Sequence, residues 1–219
     1  MNLHLNNQRP LIIIGASGHA LEIHFLAERL GLTIRGFLDD NARLWGSDVF
    51  GSPVLGSVDS WPKHDDCQFV IAVGNPRIRR KIVEQMSRLG SPAYATLIDP
   101  AAIANGREIS IGEGSVLCAG VVLTTRISIG KHGLINRCAT IGHESQLGDY
   151  VTIAPMAAVS GRVTLGDLVE IGTGACIRQC LTMAPGSMLG MGGVLIDDAE
   201  DNTLLVGNPA RLLRHLPAI

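Results

Sequence analysis

The most regular pattern in this sequence is a period of six in its hydrophobic positions. Every sixth residue from Ile111 to Leu195 is aliphatic or methionine, which gives fifteen consecutive positions without a miss. An α-helix repeats its faces every 3.6 residues and a strand every two, so neither produces this period. Because the chain is 46% hydrophobic, fifteen successive hits would arise by chance about once in 10⁵ trials. The anchor positions are Ile111, Leu117, Leu123, Ile129, Ile135, Ile141, Leu147, Ile153, Val159, Leu165, Ile171, Ile177, Met183, Leu189 and Leu195.

Each six-residue unit has the form aliphatic, glycine, any, any, small, any. Three short strands of such units close one triangular coil of about 18 residues, and successive coils stack about 4.8 Å apart. The pattern therefore predicts a parallel β-helix of about five to six coils between residues 99 and 196. An all-β sandwich would need period-two alternation broken by loops of varied length, and no insertion interrupts this repeat. Glycine fills the second place at Gly112, Gly130, Gly142, Gly148, Gly166, Gly172 and Gly190.

Residues 11–90 instead alternate short apolar runs with helical patterns. Leu11–Ile14 predicts a buried strand that runs into a glycine-rich turn and then into a helix that ends near Gly31. Further strands are predicted at 33–38 and 69–73, and a second helix follows the latter. Such alternation is typical of a small parallel sheet. We therefore predict an α/β, Rossmann-like domain at residues 1–95 and an all-β β-helix domain with a C-terminal tail at 96–219.

Small and acidic residues fall at the carboxyl ends of the predicted strands, where ligands bind in such sheets. The turn before the first helix offers N–H groups to a phosphate, and the acidic pair after the second strand could accept hydrogen bonds from a ribose or a base. Gly15 and Gly18 form only GxxG, so a mononucleotide-containing ligand fits better than NAD. The alternative is that these glycines serve only a tight turn. The candidate substrate-binding residues are Ser17, Gly18, His19, Asp39, Asp40, Gly74 and Asn75.

The composition limits which binding partners and which cellular compartment we expect for this protein. A net charge of −2 gives no electrostatic reason to expect a nucleic acid or a membrane surface as partner. Apolar stretches such as Leu11–Ile14 are far too short to span a bilayer, and no signal peptide is evident. The five cysteines form no CxxC pair, so we expect them to be reduced and the protein to be cytoplasmic.

The candidate chemistry lies at His143 and Glu144, the third and fourth places of one repeat unit. A histidine titrates near neutrality and suits a general base, and an adjacent carboxylate can fix its tautomer. Gly161, one coil later, is expected to leave an open groove beside the base, while Asn136 could hydrogen-bond a substrate. Two alternatives are that His143 is an ordinary solvated corner residue, or that it binds zinc. Zinc-binding β-helices of the carbonic anhydrase type use three histidines, and this repeat holds only His132 and His143.

Taken in order along the chain, these motifs resemble bacterial nucleotide-sugar acetyltransferases of the sialic acid O-acetyltransferase and amino-sugar N-acetyltransferase family. The similarity extends from Leu11 to Arg211. Two departures are Ala20, where the family often has glycine, and the run 191–193 (MGG), which replaces a more usual Ala-Gly-Ala. The matching motifs are 15–19 (GASGH), 37–40 (FLDD), 74–75 (GN), 136–144 (NRCATIGHE), 147–149 (LGD), 153–155 (IAP), 160–161 (SG) and 206–211 (VGNPAR).

The resemblance implies a left-handed β-helix that forms a homotrimer, with active sites at the subunit boundaries and acetyl-CoA as co-substrate without a metal. The N-terminal domain would hold the nucleotide of a nucleotide-linked sugar through the candidate residues named above. The residue matching His143 is the base, and the one matching Glu144 tunes it. Acetyl-CoA would lie along the outer surface of the β-helix, at Thr152, Gly161, Thr173, Gly190, Met191 and Arg211.

We therefore expect direct acetyl transfer from acetyl-CoA to the amino group of a nucleotide-linked amino-dideoxy sugar, as in O-antigen or other glycan biosynthesis. His143 would remove a proton as nitrogen attacks the thioester carbonyl, and no cysteine or serine lies in a convincing nucleophile motif. The alternatives are O-acetylation of a sugar hydroxyl and a non-catalytic, nucleotide-sugar-binding β-helix. The sequence leaves open the nucleotide (UDP, dTDP or GDP), the sugar and the acetylated position.

Overall fold

The structure is a computed structural model that describes residues 9–219, and it divides into two compact units. The first unit comprises the chain up to Gly74 together with Ile78–Asp99. The second comprises Asn75–Arg77 together with Pro100–Ile219. Residues 1–8 of the predicted N-terminal domain lie outside the described residues.

Short strands and two α-helices build the first unit. In chain order they are β1 (Leu11–Ile14), α1 (Gly18–Arg29), β2 (Ile34–Leu38), β3 (Asp48–Val49), β4 (Ser52–Gly56), β5 (Gln68–Ile71), α2 (Pro76–Ser87) and β6 (Leu97–Ile98), with 3₁₀ helices at Ala42–Leu44 and Val58–His64. Five strands form a sheet in the order β3-β4-β2-β1-β5, in which only β3 is antiparallel to its neighbour. Without β3, this is the 3-2-1-4 order of half a Rossmann-type sheet, which confirms the predicted α/β class.

The central position of β1 explains its sequence. All four of its residues are fully buried, because the strand lies between β2 and β5 and both faces of a parallel sheet are covered. The helix α1 ends where expected, since Gly31 follows the capping residue Leu30 and adopts the left-handed conformation with φ of 67°. The strands β3 and β4 are not predicted from the sequence. Pro53 lies inside β4, and proline is a residue that argues against a strand in an interior position.

The first unit extends past residue 95, where the sequence suggests that the N-terminal domain ends. Arg29, the last residue of α1, donates to both carboxylate oxygens of Asp99, from Nε at 2.9 Å and from Nη2 at 3.1 Å. Asp99 is almost fully buried, so this two-point ion pair ties the end of the segment to α1.

The second unit is a parallel β-helix, as predicted. Fifteen strands of two or three residues between Ile109 and Leu195 form five coils of three strands each. Each strand pairs in parallel with the strand one coil further on, as Leu134 pairs with Thr152 and Thr152 with Glu170. The fifteen strands are β7 (Ile109–Ile111), β8 (Val116–Leu117), β9 (Val122–Leu123), β10 (Ile127–Ile129), β11 (Leu134–Ile135), β12 (Thr140–Ile141), β13 (Gln146–Leu147), β14 (Thr152–Ile153), β15 (Ala158–Val159), β16 (Thr164–Leu165), β17 (Glu170–Ile171), β18 (Cys176–Ile177), β19 (Thr182–Met183), β20 (Met188–Leu189) and β21 (Val194–Leu195). Two longer strands, β22 (Thr203–Val206) and β23 (Arg211–His215), follow them.

Three sheets form the sides of this β-helix. Within the second unit their orders are β7-β10-β13-β16-β19, β8-β11-β14-β17-β20-β22-β23, and β9-β12-β15-β18-β21. Fourteen of the fifteen anchors are buried between the sheets, and Ile111 in the first coil is partly exposed. The strict spacing ends after β21, because Met188 pairs with Leu204 and the antiparallel hairpin β22–β23 completes the sheet.

The second-place glycines are required by the close approach of successive coils. A Cβ at Gly112 would lie 2.5 Å from the carbonyl carbon and oxygen of Gly130 in the next coil. Both of these atoms belong to the backbone, so they cannot move aside as a flexible side chain would. A side chain at Gly112 would therefore force the coils apart.

The fourth place of every unit from Glu108 to Gly192 has a left-handed backbone, with φ between 53° and 73°. Five of these fifteen residues are glycine, and the other ten carry side chains in a conformation that such residues adopt only when the surrounding structure imposes it. Because coils stack in register, fourth-place side chains from successive coils lie above one another in columns. The sequence does not reveal this feature, since the residues at this place share no side-chain type.

Two further observations concern the described chain as a whole. None of the five cysteines, all of which lie within residues 9–219, forms a disulfide. Among those same residues, no helix is long and apolar enough to cross a membrane.

Candidate active site

His143 lies at the corner of the β-helix between β12 and β13. Its imidazole is 55% exposed, and Nδ1 lies 3.1 Å from Oε2 of Glu144. Its backbone carbonyl accepts the N–H of Arg162 from the next coil at 2.7 Å, which fixes the corner. When Nδ1 carries the proton and donates it to the carboxylate, Nε2 has a free lone pair and can act as a base.

Gly161, in the next coil, lies against the imidazole, and the expected open groove at this position is wrong. Gly161 is buried, and a Cβ placed on it would come 2.5 Å from Nε2 and 2.8 Å from Cε1 of His143. The histidine ring itself therefore covers the space that the absent side chain leaves. Sequence spacing correctly brings the two residues together, but it does not give the direction in which the ring leans.

Glu144 is held by more partners than His143. Its Oε2 also accepts a hydrogen bond from Nε of Arg162 at 2.8 Å, and its Oε1 lies 3.7 Å from Nη1 of Arg126. The hydrogen bond from Arg162, followed by the one from His143, holds the pKa of Glu144 below its usual value of 4.5. The carboxylate is therefore ionised at neutral pH. Neither arginine is predicted from the sequence, although each lies one coil, or eighteen residues, from Glu144.

Asn136 lies at the preceding corner of the same coil, between β11 and β12. Its side chain is nearly buried, and its Oδ1 accepts the backbone N–H of Arg137 at 2.8 Å. The strand β12 separates this corner from that of His143. Within one chain the structure does not bring Asn136 to the imidazole, so its contact with a substrate stays a prediction.

Four of the predicted coenzyme residues lie around one corner near the end of the β-helix. Thr173 follows β17, and Gly190 and Met191 follow β20 in the next coil, with Thr173 and Met191 exposed. A Cβ at Gly190 would come 2.7 Å from Cγ1 of Val206, and Val206 pairs with Arg211 across the β22–β23 hairpin.

The other two predicted coenzyme residues lie elsewhere. Thr152 is buried in β14, two residues before a corner, and Gly161 lies at the corner of His143. The sheet that separates the two corners contains β9, β12, β15, β18 and β21. Its outward residues, each of which precedes an anchor, are small or β-branched, namely Val122, Thr140, Ala158, Cys176 and Val194. The corresponding positions of the β7 sheet are all polar, namely Ser110, Ser128, Gln146, Thr164 and Thr182.

In the first unit, the predicted residues after β1 and β2 lie together at the carboxyl ends of adjacent strands. Ser17 is the N-cap of α1 and is exposed, with no hydrogen bond from its side chain to the helix, and Gly18 begins the helix. The Asp39 carboxylate accepts the N–H of Ala16 through Oδ2 and that of Asn41 through Oδ1, both at 2.8 Å. Asp39 therefore fastens the glycine-rich turn to the end of β2.

The remaining predicted residues of this group have partners of their own. Nδ1 of His19 lies 3.1 Å from Oε2 of Glu22, and Oδ1 of Asp40 accepts the N–H of Val58 at 2.9 Å. Gly74 follows β5. Asn75 belongs to the second unit, and its Oδ1 accepts the N–H of Arg77 at 3.0 Å.

Two residues near these strand ends are not predicted from the sequence. Arg79 is almost fully buried, and its Nη1 donates to the carbonyls of Val73 at 2.7 Å and Gly74 at 3.0 Å, which fixes the turn after β5. Trp45 donates its indole N–H to the carbonyl of Asp39 at 2.8 Å and keeps an exposed ring. The arginine has no sequence signal, but an aromatic residue shortly after the acidic pair could have been noticed.

No group of three or more histidine, cysteine, aspartate or glutamate side chains within residues 9–219 is placed to hold a metal ion.

Comparison with known proteins identifies the class. The family described as the PglD N-terminal domain matches residues 10–86. The acetyltransferase domain of PglB from Neisseria gonorrhoeae FA1090 superposes with a TM-score of 0.83 and is 36% identical, covering 94% of this chain and 100% of that one. A variant of perosamine N-acetyltransferase from Caulobacter crescentus, in complex with CoA and GDP-perosamine, has a TM-score of 0.85 at 27% identity, covering 93% of this chain and 96% of that one.

A curated relative gives a shorter match. The UDP-N-acetylbacillosamine N-acetyltransferase of Bacillus subtilis (strain 168) is 32% identical over 114 residues, which is 51% of this chain. The chain spans about half the length of this relative, since the match covers 52% of it.

An α/β unit followed by a β-helix of six-residue repeats is the fold of hexapeptide-repeat acetyltransferases, the class to which the matched PglB domain belongs. The chain belongs to the family of the PglB acetyltransferase domain, and its residues 10–86 match the PglD N-terminal domain family. The sequence-based assignment to nucleotide-sugar acetyltransferases is thereby confirmed.

Proposed function

We propose that this protein transfers the acetyl group of acetyl-CoA to the amino group of a nucleotide-linked amino sugar. The observation that carries the proposal is the exposed His143 imidazole, whose Nδ1 faces an ionised glutamate on the β-helix of an acetyltransferase family. Support for the amine as acceptor comes from the relatives, whose names are those of N-acetyltransferases acting on amino sugars.

In the proposed reaction, Nε2 of His143 takes a proton from the substrate amine as its nitrogen attacks the thioester carbonyl carbon. A C–N bond forms, the tetrahedral intermediate collapses, and the C–S bond breaks to release CoA. The proton held by His143 then passes to the departing thiolate, so that CoA leaves as a thiol. Glu144 stabilises the imidazolium that exists between these two transfers.

The first unit is proposed to hold the nucleotide. Ser17 and Gly18 begin α1, so the N–H groups of its first turn and its positive end suit a phosphate. The exposed ring of Trp45 is available to the base. Asp40 is proposed to contact the ribose, although both of its carboxylate oxygens, like those of Asp39, already accept hydrogen bonds within the first unit. His19 and the turn at Gly74 are proposed to contact the same ligand.

The second unit is proposed to hold acetyl-CoA along the sheet that contains β12 and β15, between the corner of His143 and that of Thr173 and Met191. The small outward residues of this sheet leave room for an extended arm, and Arg211 could meet its phosphates. We further propose a homotrimer with active sites at the subunit boundaries, which native mass spectrometry would show as three times the 23.2 kDa of one chain. A cytoplasmic location is proposed because both substrates are cytoplasmic metabolites.

The deciding experiment is an acetylation assay with amino sugars linked to UDP, dTDP and GDP, beside matched hydroxy sugars. His143→Ala is expected to lower kcat by about 10²–10⁴-fold, the share that a general base contributes. His64→Ala, in a 3₁₀ helix of the first unit, is the matched control and should keep wild-type activity. Acetylation of hydroxy sugars alone would favour an O-acetyltransferase. Nucleotide-sugar binding without CoA binding, measured by calorimetry, would favour a non-catalytic protein.

A further inference from the structure

One column of fourth-place residues carries charges of alternating sign. Going up the β-helix one coil at a time, it consists of Glu108, Arg126, Glu144, Arg162 and Cys180, all with φ between 54° and 61°. Nε of Arg126 lies 3.1 Å from Oε2 of Glu108, and the contacts of Glu144 with both arginines continue the column. The residue that faces the candidate base is therefore the middle member of a charge ladder.

The two arginines do not contact Glu144 equally. Arg162 donates from Nε to Oε2 at 2.8 Å, and this is the same oxygen that faces Nδ1 of His143 at 3.1 Å. Arg126 approaches the other oxygen, Oε1, at the longer distance of 3.7 Å. Arg162 thus fixes the atom that orients the imidazole, while Arg126 lies beside the opposite oxygen.

We propose that Arg162 is a positioning residue for the acetyl transfer assigned above. It holds Oε2 of Glu144 within hydrogen-bond distance of Nδ1 of His143, so that the proton stays on Nδ1 and Nε2 is left to act as the base. This inference rests on the proposed function.

The charges around Glu144 agree with this role. The charged or titratable groups that face it are His143, Arg126 and Arg162, and beyond them lie Glu108 and Cys180. The hydrogen bond from Arg162 is the largest cause of the lowered pKa of Glu144. An ionised carboxylate can only accept, so it selects the tautomer with the proton on Nδ1.

Loss of Arg162 should affect catalysis much more than folding. The guanidinium is 64% exposed, and exposed ion pairs contribute little to stability, whereas buried anchors hold the coil. Without Arg162, the carboxylate can rotate about its side-chain bonds, and the imidazole can adopt the tautomer with the proton on Nε2. That tautomer has no lone pair on the nitrogen that must accept the proton from the amine.

The test compares Arg162→Gln and Arg162→Lys with the control Arg88→Gln, an exposed arginine just after α2 in the first unit. Arg162→Gln is expected to lower kcat about tenfold, because it removes part of the rate enhancement that the general base contributes. The KM for each substrate should change by less than about twofold. Arg162→Lys, which keeps a cation, should recover part of the loss. In a Glu144→Gln background, Arg162→Gln should cost nothing further, because its effect passes through the carboxylate.

A spectroscopic measurement gives an independent readout. The ¹⁵N chemical shifts of histidine-labelled protein distinguish the two imidazole tautomers. His143 should carry its proton on Nδ1 in the wild type and shift towards the Nε2–H form in Arg162→Gln. Thermal unfolding of each variant checks that the fold is retained.

Three outcomes would overturn the inference: a wild-type kcat and tautomer in Arg162→Gln, a loss that appears in KM, or an equal loss in the Glu144→Gln background. The proposed function fails separately, if His143→Ala stays active in the same assay. An inactive His143→Ala together with a normal Arg162→Gln refutes only the role of Arg162.

Discussion

The His143 imidazole lies so close to Gly161 that a Cβ on this glycine would come within 2.5 Å of Nε2. Gly161→Ala should therefore push the ring away from its contact with Glu144. Because a small misplacement of a reacting group has a large effect on rate, we expect kcat to fall by about 10-fold to 100-fold. Steady-state kinetics with saturating acetyl-CoA would measure this.

The control is Gly161→Ala in a His143→Ala background. The three atoms nearest to a Cβ at Gly161 all belong to the imidazole, so the alanine should then leave the melting temperature unchanged. A Gly161→Ala variant with normal kcat would show that the ring position seen here is not the one used in the reaction.

The second-place glycines should contribute to stability through the close approach of coils. Gly112→Ala would place a methyl group 2.5 Å from the Gly130 carbonyl, which can relieve the clash only by a backbone shift. We expect the free energy of unfolding to fall by about 1–3 kcal/mol, the usual cost of overpacking. Ser160→Ala is the matched control, because this second-place residue already carries a side chain. Urea unfolding followed by circular dichroism would compare the two, and equal midpoints would contradict the prediction.

Glu144 should titrate below its usual pKa of 4.5, and Arg162→Gln should raise that pKa towards it. A carboxylate whose pKa is lower in the folded state stabilises the protein at any pH above the pKa of that group in the unfolded chain. This contribution disappears as the pH falls through the pKa of the group in the folded state. The measurement is a ¹³C titration of the Glu144 carboxyl over a range of about pH 2 to 6. An identical midpoint in the two proteins would mean that Arg162 does not contact the carboxylate in solution.

Trp45 should report nucleotide binding by its fluorescence. The chain has two tryptophans, and the other, Trp61, is 5% exposed and donates its indole N–H to the carbonyl of Met86. A nucleotide bound at the ends of β1 and β2 should therefore change the emission of Trp45 and leave that of Trp61 unaltered. Titration with UDP, dTDP and GDP would also identify the preferred base.

Trp45→Phe should abolish the fluorescence change while calorimetry still detects binding of the nucleotide. If the change persists in this variant, the nucleotide binds near Trp61 or alters the first unit more widely, and the proposed position is wrong.

The anchors and the parallel β-helix could be predicted because a core position tolerates few types of side chain. The need for an aliphatic residue or methionine is therefore visible in each six-residue unit. The strand β4 could not, since Pro53 contradicts local strand propensity and the strand is supported by its pairing with β2 and β3. The left-handed backbone conformation at the fourth places could not be predicted either, because the stacking of the coils imposes it and the residue type does not.

At the candidate site, the sequence predicts the pair His143 and Glu144 from their chemistry and neighbourhood in the repeat. It misses Arg162, although the spacing of one coil that led to Gly161 leads just as directly from Glu144 to Arg162. The direction of the His143 ring depends on side-chain torsion angles, which no periodicity encodes. The expected groove was wrong for that reason.

The vertical columns also restrict how such a chain can change in length. Loss of one six-residue unit between Glu144 and Arg162 would keep every anchor in phase with the core, yet it would turn all later residues by a third of a revolution. Arg162 would then project from a different corner, and the charge ladder beside His143 would be severed although the fold survived. A β-helix of this kind can therefore lose or duplicate whole coils of three units. A loss or duplication of one or two units would instead separate groups that act together.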